Sequence, residues 1–367
     1  MTDPIFIGAR IYRGSSYGPR HPLSIPRVPT VTDLCRVLGW LPDTQYRTSP
    51  CAKPAALTGF HTPRYIAALQ RAEATQRADP AHDLGTLSNP VFPEVYRRPA
   101  TAAGGGLLAA DHVRHGGVAY NPGGGTHHGL PDRANGFCYL NEPVLTIRRL
   151  MDMGLTRIAY VDIDAHHCDG VAVAFHGSQA VRMISVHEDR RWPFTGAVQD
   201  DAGGAAINIP VPRGLNDSEF DLILNEVILP AVAAQEPQAI YLQCGADAVT
   251  EDPLSRLALS NRCHLRAIAA LRPLAPRLIV SGGGGYNPWS VGRAWTCVWA
   301  CLAGYEIPDH LPAEASDILR GLSWSRRAQP SPALLATLLD PPRPGPVSDQ
   351  VREAVAFLQR RSAWWRG

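Results

Sequence analysis

The sequence predicts a single α/β domain with a central, mostly parallel sheet of about eight strands and helices on both faces. Short apolar segments suited to buried strands recur along the chain, and amphipathic helical patterns separate them. Strands and helices that alternate in this way are typical of a parallel sheet. Polar residues follow four of these segments, at the edge where open parallel sheets form their binding sites. The predicted buried strands span 117–121, 158–164, 182–187, 239–245 and 277–283.

Helical periodicity is clearest in two segments. In the first, Asp217 is placed to cap a helix whose apolar residues recur on one face. The second, 290–303, opens just after Asn287 and Pro288, where a proline in the first turn costs no hydrogen bond. The apolar face of the first helix consists of Phe220, Leu224, Val227, Ile228 and Val232.

The two ends of the chain have different patterns. The first ~90 residues are rich in proline and arginine and weakly periodic, which predicts loops and short helices. The segment 341–346 is too rich in proline to be helical, and it links the core to a last amphipathic stretch with Val351, Val355 and Leu358 in step. We expect this last helix to pack on the body, so that residues 1–367 form one domain.

Composition excludes several classes of protein. Hydrophobic residues make up 45% of the chain and charged residues 19%, which is enough apolar material for a sizeable core. The 35 Lys and Arg against 33 Asp and Glu leave a formal charge of +2, which predicts no nucleic-acid partner. The eight cysteines form no C-x-x-C pair, the start of the chain lacks a signal-peptide pattern, and no apolar run approaches the ~20 residues of a membrane span. We therefore expect a cytoplasmic protein without membrane attachment.

Polar side chains, several of which can bind a metal ion, follow four of the predicted strands. Because the carboxyl ends of parallel strands meet at one edge of a sheet, four loops can converge on one pocket. This shared position is the strongest indication of a site that comes from the residues alone. The loops are 122–128, 165–169, 246–247 and 284–286.

The motif D-x-D-x-H is the first candidate for metal binding. Asp162, Asp164 and His166 fall at i, i+2 and i+4, so an extended backbone would point all three to one side. Two of them can then bind one ion, with Asp247 as the natural third ligand. Carboxylate and imidazole ligands suit zinc, and a catalytic zinc keeps three protein ligands and an open position. The alternative is a strand end whose carboxylates cap neighbouring backbone groups.

A histidine pair supplies a candidate base. His127 and His128 follow three glycines, and in a tight turn both rings can border a pocket, where one could act as general base. Asp162 and Asp169 flank the proposed ligands and are available to orient the two rings. For His167, which no second observation supports, an ordinary structural role is the alternative.

Tyr286 follows four glycines, a stretch that lets the backbone approach closely and leaves one hydroxyl to project into the site. That hydroxyl could donate to a developing oxyanion. The glycine runs at 123–125 and 282–285 match neither G-x-G-x-x-G nor a loop that ends in Gly-Lys-Ser/Thr. Nucleotide binding is therefore not predicted.

Four strings carry a resemblance to a known family: PGGGTHHGLPDRANGFCYLNE (122–142), YVDIDAHHCDGV (160–171), QCGADAVTEDPL (243–254) and SGGGGYN (281–287). They resemble the superfamily of histone deacetylases, acetylpolyamine amidohydrolases and acetoin-utilisation proteins, in order and over roughly 17–300. The resemblance implies the arginase/deacetylase-like fold. It also implies a zinc-dependent amidohydrolase, with Fe²⁺ as the alternative metal in the cell.

The implied reaction removes an acyl group, such as acetyl, from a lysine side chain or a small acylated amine. A metal-activated water attacks the amide, a histidine acts as general base and a tyrosine stabilises the oxyanion. Carried over residue by residue, the family pattern implies the zinc ligands Asp164, His166 and Asp247; the catalytic pair His127 and His128, with Asp162 and Asp169 behind them; Tyr286 at the carbonyl; and the tunnel residues Gly136, Phe137, Trp192 and Leu254.

The resemblance also implies structural potassium and an internal cavity. Arg27 matches an arginine that lines this cavity in relatives. One potassium would involve Asp162, Asp164, His166, Ser185 and Val186, and a second would lie near Phe175, Ser178 and Val181.

Two positions depart from the family pattern. Many relatives have an acidic residue before the Pro-Val-Phe motif, which holds the substrate backbone, whereas this chain has Ser88 and Asn89. Relatives usually have a glycine where this chain has Cys168, and we expect that change to be tolerated.

Three other functions remain open at this stage. An acetylpolyamine or other small acyl-amine amidohydrolase would use the same chemistry. A non-catalytic acyl-lysine binding module would have lost a ligand, the histidine pair or the tyrosine, all of which are present. An arginase-like hydrolase with two manganese ions would need a second set of bridging carboxylates, whereas the motif and one aspartate provide a single-metal set.

Overall fold

The computed structural model describes residues 3–325 and 330–361. Its strands form one sheet in the order β2-β1-β3-β8-β7-β4-β5-β6, and every pairing is parallel. The predicted α/β class with an eight-stranded sheet is confirmed. The strands are β1 (Ile5–Gly8), β2 (Tyr46–Thr48), β3 (Gly117–Asn121), β4 (Ile158–Asp162), β5 (Val181–Glu188), β6 (Ala206–Val211), β7 (Ala239–Gln243) and β8 (Arg277–Ser281).

Helices cover both faces of the sheet, and short 3-10 turns and loops connect them. A π-helical segment, Leu224–Ile228, joins two of the α-helices into one continuous helical stretch. The α-helices are α1 (Ile11–Gly14), α2 (Arg27–Val37), α3 (Pro54–Leu57), α4 (Pro63–Thr75), α5 (Arg97–His112), α6 (Glu142–Asp152), α7 (Asp169–Ala174), α8 (Asp217–Ile223), α9 (Leu229–Gln235), α10 (Arg262–Leu271), α11 (Pro288–Ala303), α12 (Ala313–Arg320), α13 (Ala333–Ala336) and α14 (Asp349–Arg360).

Two cores, one on each face, enclose the sheet. Successive residues of a strand point to opposite faces, so Ala159 and Val161 of β4 pack with α10 and α11, whereas Ile158 and Tyr160 pack with α5 and α6. The strands are buried on both faces, which is why they appear in the sequence as continuous apolar runs.

The strand order places the polar loops side by side. β8 lies between β3 and β7, and β7 lies between β8 and β4. The loops that follow these four strands therefore leave the same edge of the sheet next to one another, although the strands are far apart in sequence.

Two expectations about local structure were wrong. The first 90 residues contain two strands of the main sheet and the 11-residue and 13-residue helices α2 and α4, rather than only loops and short helices. β1 has four residues and is recognisable only through its pairing with β2 and β3. The cap of α8 is Asn216, which forms a capping box with Glu219, and Asp217 occupies the first turn instead.

The last described segment packs on the main core. Val351, Val355 and Leu358 of α14 are buried with the helices on one face of the sheet. The proline-rich connection is held by Asp217, whose Oδ2 accepts a hydrogen bond from the backbone N–H of Arg343 at 3.0 Å. Within the described residues, no helix has the length and apolarity needed to cross a membrane.

A buried ion pair joins α11 to the segment before this connection. Arg293 is almost fully buried, and its Nη1 lies 2.7 Å from Asp340 Oδ1. The same guanidinium donates to the carbonyl of Thr337 at 2.6 Å. Asp340 also accepts from the backbone N–H of Asn261 at 3.0 Å, so that one carboxylate connects three segments.

We expect Asp340→Ala to lower the free energy of unfolding by about 3 kcal/mol, because it leaves the Arg293 charge buried without its partner. Denaturant titration followed by circular dichroism measures this change. Asp317→Ala is the matched control, since it removes the exposed ion pair with Arg320 and should have little effect. Equal effects of the two substitutions would contradict the assignment.

Candidate active site

Asp164, His166 and Asp247 form a buried cluster at the carboxyl edge of the sheet. The His166 Nδ1 lies 2.9 Å from Asp247 Oδ2 and 3.2 Å from Asp164 Oδ1. One potential ligand atom from each residue lies within 4.8 Å of the others. The structure thus brings together the three residues that the sequence analysis selected as metal ligands.

The electrostatics of this cluster favour a cation. Burial, followed by the neighbouring Asp164 carboxylate, raises the pKa of Asp247 to about 6. Burial alone would lower the pKa of His166, but hydrogen bonds to Asp164 and Asp247 raise it to about 10. Two carboxylates and one imidazole nitrogen that converge in a buried site are a donor set for a divalent metal such as zinc. The residues therefore fit the ion that the family resemblance implies.

Neighbouring donors fix the orientation of both carboxylates. Asp164 Oδ2 accepts hydrogen bonds from Gln243 Nε2 at 2.8 Å and from the backbone N–H of Gly284 at 2.7 Å. Asp247 Oδ1 accepts from the backbone N–H of Ala165 at 3.0 Å. The role of Gln243 was not predicted from the sequence. The sequence feature that could have identified this residue is a glutamine at the end of an otherwise apolar strand.

Asp162 lies outside the ligand cluster that the other two residues of its motif form with Asp247. The strand ends at Asp162, and the backbone turns there because Asp162 Oδ1 accepts from the N–H of Asp164 at 3.1 Å. Asp164 in turn accepts from the N–H of His166 at 3.0 Å. The expectation of one extended segment was therefore wrong. The alternative interpretation, that these carboxylates cap backbone groups, describes part of what they do.

Each histidine of the adjacent pair contacts its own carboxylate. His127 Nδ1 lies 2.7 Å from Asp162 Oδ2, and His128 Nδ1 lies 2.6 Å from Asp169 Oδ1. The Nε2 atoms of the two rings are 3.0 Å apart. A carboxylate at Nδ1 keeps the proton on that nitrogen and turns Nε2 into the reactive position.

The two rings differ in charge. Burial alone would lower the pKa of His127, but the negative charges of Asp162 and Asp164 have the larger effect and raise this pKa to about 9. Burial and the neighbouring His127 lower the pKa of His128 to about 4. His128 is therefore neutral at pH 7, with its Nε2 able to accept a proton, whereas His127 is the charged partner.

Tyr286 is positioned by its backbone. Its N–H donates to Asp252 Oδ2 at 2.7 Å, and the other oxygen of this buried carboxylate accepts from the backbone N–H of Leu254 at 2.9 Å. Burial, followed by the charges of Asp247 and Asp164, raises the pKa of Tyr286 well above its ordinary value, so the hydroxyl stays protonated. Asp252 belongs to the string 243–254, but its contact with Tyr286 was not predicted.

The glycines before Tyr286 allow a close approach. A Cβ at Gly284 would lie 1.9 Å from Asp247 Oδ2, and one at Gly283 would lie 2.2 Å from Gln243 Nε2. Gly283 has a φ of +156°. This backbone fits against the carboxylate cluster only without side chains.

The four predicted tunnel residues line one cavity of about 650 Å³, together with His128, His166 and Tyr286. The ring centroid of Trp192 lies 4.6 Å from that of His128, at 73°. Phe137 meets Tyr286 edge to face, with 5.8 Å between ring centroids. The tunnel residues are Gly136, Phe137, Trp192 and Leu254.

A smaller cavity adjoins the first and contains Arg27. The two cavities share His128, Phe137 and Tyr286 among their lining residues. Arg27 Nη1 donates to the carbonyl of Gly283 at 2.6 Å, which fixes the guanidinium against the glycine loop.

The residues of the predicted potassium sites lie in two places. Ser185 is paired in register with Asp162 across β4 and β5, and Val186 follows it. In the second set, the N–H of Ser178 donates to the carbonyl of Phe175 at 3.0 Å, and Ser178 Oγ accepts from the backbone N–H of Val181 at 3.1 Å. Potassium itself stays a prediction.

Two further residues have other environments. His167 Nδ1 lies 2.8 Å from Thr195 Oγ1, which places its ring outside the metal cluster. Cys168 is buried in an apolar cluster, and burial raises the pKa of its thiol well above the ordinary value. A thiol in this state is a small apolar side chain rather than a ligand or nucleophile.

Comparison with known proteins agrees with this geometry. Residues 21–302 match the histone deacetylase domain family. The chain is 34% identical over 313 residues to histone deacetylase 9 of Arabidopsis thaliana, and the match covers 82% of this chain and 73% of that protein. It is 32% identical over 331 residues to the acetoin utilization protein AcuC of Bacillus subtilis (strain 168), with 86% of each chain covered. The crystal structure of an HDAC homolog from Aquifex aeolicus has a TM-score of 0.92 at 34% identity, and the match covers 97% of this chain and 99% of that one.

Gly136→Ala should narrow the tunnel, because a Cβ at this position would lie 2.1 Å from the Trp192 ring and the backbone φ is +51°. We expect a loss of about tenfold or more in the kcat/KM of any reaction in this cavity, from the cost of overpacking. Trp192→Ala in the same chain should recover part of the loss. Unchanged turnover by the single variant would contradict the tunnel assignment.

Proposed function

Because the chain belongs to the histone deacetylase family and is a deacetylase of the hydrolase class, we propose that it is a zinc-dependent amidohydrolase of acetylated lysine side chains in proteins or peptides. The observation that carries this proposal is the arrangement at the base of the tunnel. The buried Asp164, His166 and Asp247 cluster adjoins two His–Asp pairs and a protonated tyrosine. One crystal structure of an HDAC homolog, with a TM-score of 0.92 to this chain, is a complex with SAHA.

Asp164, His166 and Asp247 would hold Zn²⁺, or Fe²⁺ as the alternative. When bound, the ion supplies a Lewis acid for the amide carbonyl and increases the acidity of water. Two anionic ligands neutralise much of the charge of the ion, so the site also needs a protein base.

His128 is the residue suited to be that base. Its Nδ1 is held by Asp169, its ring lines the cavity, and its neutral Nε2 is the nitrogen that can accept the proton of the attacking water. His127, held by Asp162, places a positive charge 3.0 Å from that Nε2. The histidine pair then returns a proton to the leaving amine, which departs neutral.

Tyr286 stabilises the oxyanion. Its phenol stays protonated and lines both cavities, so it can donate to the oxygen that becomes negative as the carbonyl is attacked. Asp252 holds the backbone of Tyr286 and thereby limits the positions that the hydroxyl can take.

Three further proposals accompany this function. A structural potassium would lie near Asp162, Asp164, His166 and the Ser185–Val186 segment. The whole chain, 1–367, would act as one catalytic domain. Because all eight cysteines are free thiols, we propose a reducing compartment, the cytoplasm.

A fluorogenic acetyl-lysine peptide tests the reaction. Metal-reconstituted protein should release the free lysine amine, and a hydroxamate chelator should abolish the release. Asp247→Ala should lose both zinc and turnover, since it removes one of three ligands; zinc content is measured by atomic absorption. No turnover by protein that holds one zinc would contradict an acetyl-lysine substrate and would favour small acylated amines.

Two variants separate chemistry from metal binding. His128→Ala should lower kcat about 10²-fold to 10⁴-fold through loss of the base, and Tyr286→Phe should lower it about 10²-fold to 10³-fold through loss of the oxyanion donor. Both variants should retain one zinc per chain. Normal kcat in the His128 variant would exclude the base assignment.

A further inference from the structure

The mouth of the tunnel carries arginines on the loops that follow β5 and β6. Arg190, Arg191 and Arg213 line the cavity, whereas Asp83 is the one acidic residue among the described residues of its lining. Ser88 and Asn89, which line the same cavity, are uncharged.

Two of these arginines, Arg191 and Arg213, share one carboxylate, which cannot neutralise both. The side chain of Glu188 is 1% exposed, and its oxygens lie 2.6 Å from Arg191 Nε and 3.6 Å from Arg213 Nε. One buried anion thus faces two cations, which leaves one positive charge in this group. Arg213 is 78% exposed, so its guanidinium extends into solvent at the mouth.

Arg190 provides a second exposed cation. Its side chain is 92% exposed, and its nearest acidic partner is Asp189, at 3.7 Å. An exposed pair at this distance has little attraction and can exchange for another anion. The cations of the rim are therefore available to a ligand that reaches the mouth.

Exposed apolar side chains adjoin the same opening. Large hydrophobic residues exposed within the described part of the chain are few, and Leu87, Trp192 and Phe194 are three of the five. Trp192 and Phe194 line the cavity, and Leu87 lies between the lining residues Thr86 and Ser88. Apolar residues around a tunnel mouth indicate contact with more of the substrate than the acyl-amine that enters the tunnel.

We propose that the preferred substrate is a polypeptide whose acetyl-lysine has acidic residues next to it, which Arg190 and Arg213 contact at the rim. The inference rests on the proposed deacetylase function and specifies its substrate. A polyamine is disfavoured on the same ground, because its additional ammonium groups would lie against arginines instead of carboxylates.

Three peptides of equal length test the charge preference. Each carries one acetyl-lysine flanked on both sides by Glu, by Gln or by Lys, and mass spectrometry follows the deacetylated product. Two exposed ion pairs predict a kcat/KM for the Glu peptide about threefold to tenfold above that for the Gln peptide, with the Lys peptide lowest. This order should weaken as salt is raised. Equal values for the three peptides would overturn the proposal.

Variants assign the preference to the rim. The double substitution Arg190→Gln and Arg213→Gln should reduce the Glu-to-Gln ratio of kcat/KM to about one. Ser88→Asp should lower the ratio as well, since it adds an anion to the lining of the same cavity. Arg114→Gln, an exposed arginine just before β3 at the other edge of the sheet, is the control and should keep the ratio. A ratio that survives the double substitution would overturn the proposal.

Two more measurements separate a polypeptide substrate from a small molecule, and the charge preference from the reaction itself. The first measurement uses free Nε-acetyl-lysine, which carries its own carboxylate. If its kcat/KM equals that of the Glu peptide and falls when Arg190 and Arg213 are replaced, the substrate is a small molecule and the polypeptide assignment is wrong. Absence of turnover with all three peptides by zinc-loaded protein would contradict the proposed function, whereas turnover without a charge preference contradicts only the substrate inference.

Discussion

Two carboxylates, Asp164 and Asp247, face one imidazole in a buried site, and the rest of the active site is arranged around their charges. Buried carboxylates repel each other and are costly without a cation and hydrogen-bond donors. The donors come from Gln243, Ala165 and Gly284, which lie on three different segments. The segment that contains Gly284 can approach the carboxylates because its glycines have no side chains. The fold therefore brings the ends of several strands together around one pair of buried carboxylates.

The neighbouring charges also determine the protonation of the two adjacent histidines. Two adjacent imidazoles in equal surroundings would share a single added proton equally, because a second positive charge beside the first is unfavourable. Instead, His127 has Asp162 at one nitrogen and a second carboxylate nearby, while His128 lies next to a charged ring and is held by Asp169 alone. The unequal surroundings give one ring a proton and leave the other ring able to accept one. Consecutive residues thus obtain different roles from different neighbours.

The sequence predicted the site better than it predicted the details of the fold. The ligands, the histidine pair and Tyr286 lie directly after buried strands, so local pattern located them. Gln243 and Asp252 were missed because their roles depend on contacts with residues distant in sequence, at Asp164 and at the backbone of Tyr286. β1, with four residues, was missed for the same reason, since only its two neighbours identify it as a strand. The turn after Asp162 arises from a side-chain contact with the backbone, which alternation alone cannot reveal.

The position of β8 has a consequence for how the chain is made. Its residues are synthesised last among the strands, yet it lies between β3 and β7. Until residues 277–281 leave the ribosome, β2-β1-β3 and β7-β4-β5-β6 are two separate groups of strands, each with an open edge. The unpaired backbone groups of such edges can form hydrogen bonds with strands of other chains, which leads to aggregation. The nascent chain thus keeps the edges of β3 and β7 unpaired until β8 is made, and insertion of this five-residue strand joins the halves that carry the two sides of the active site.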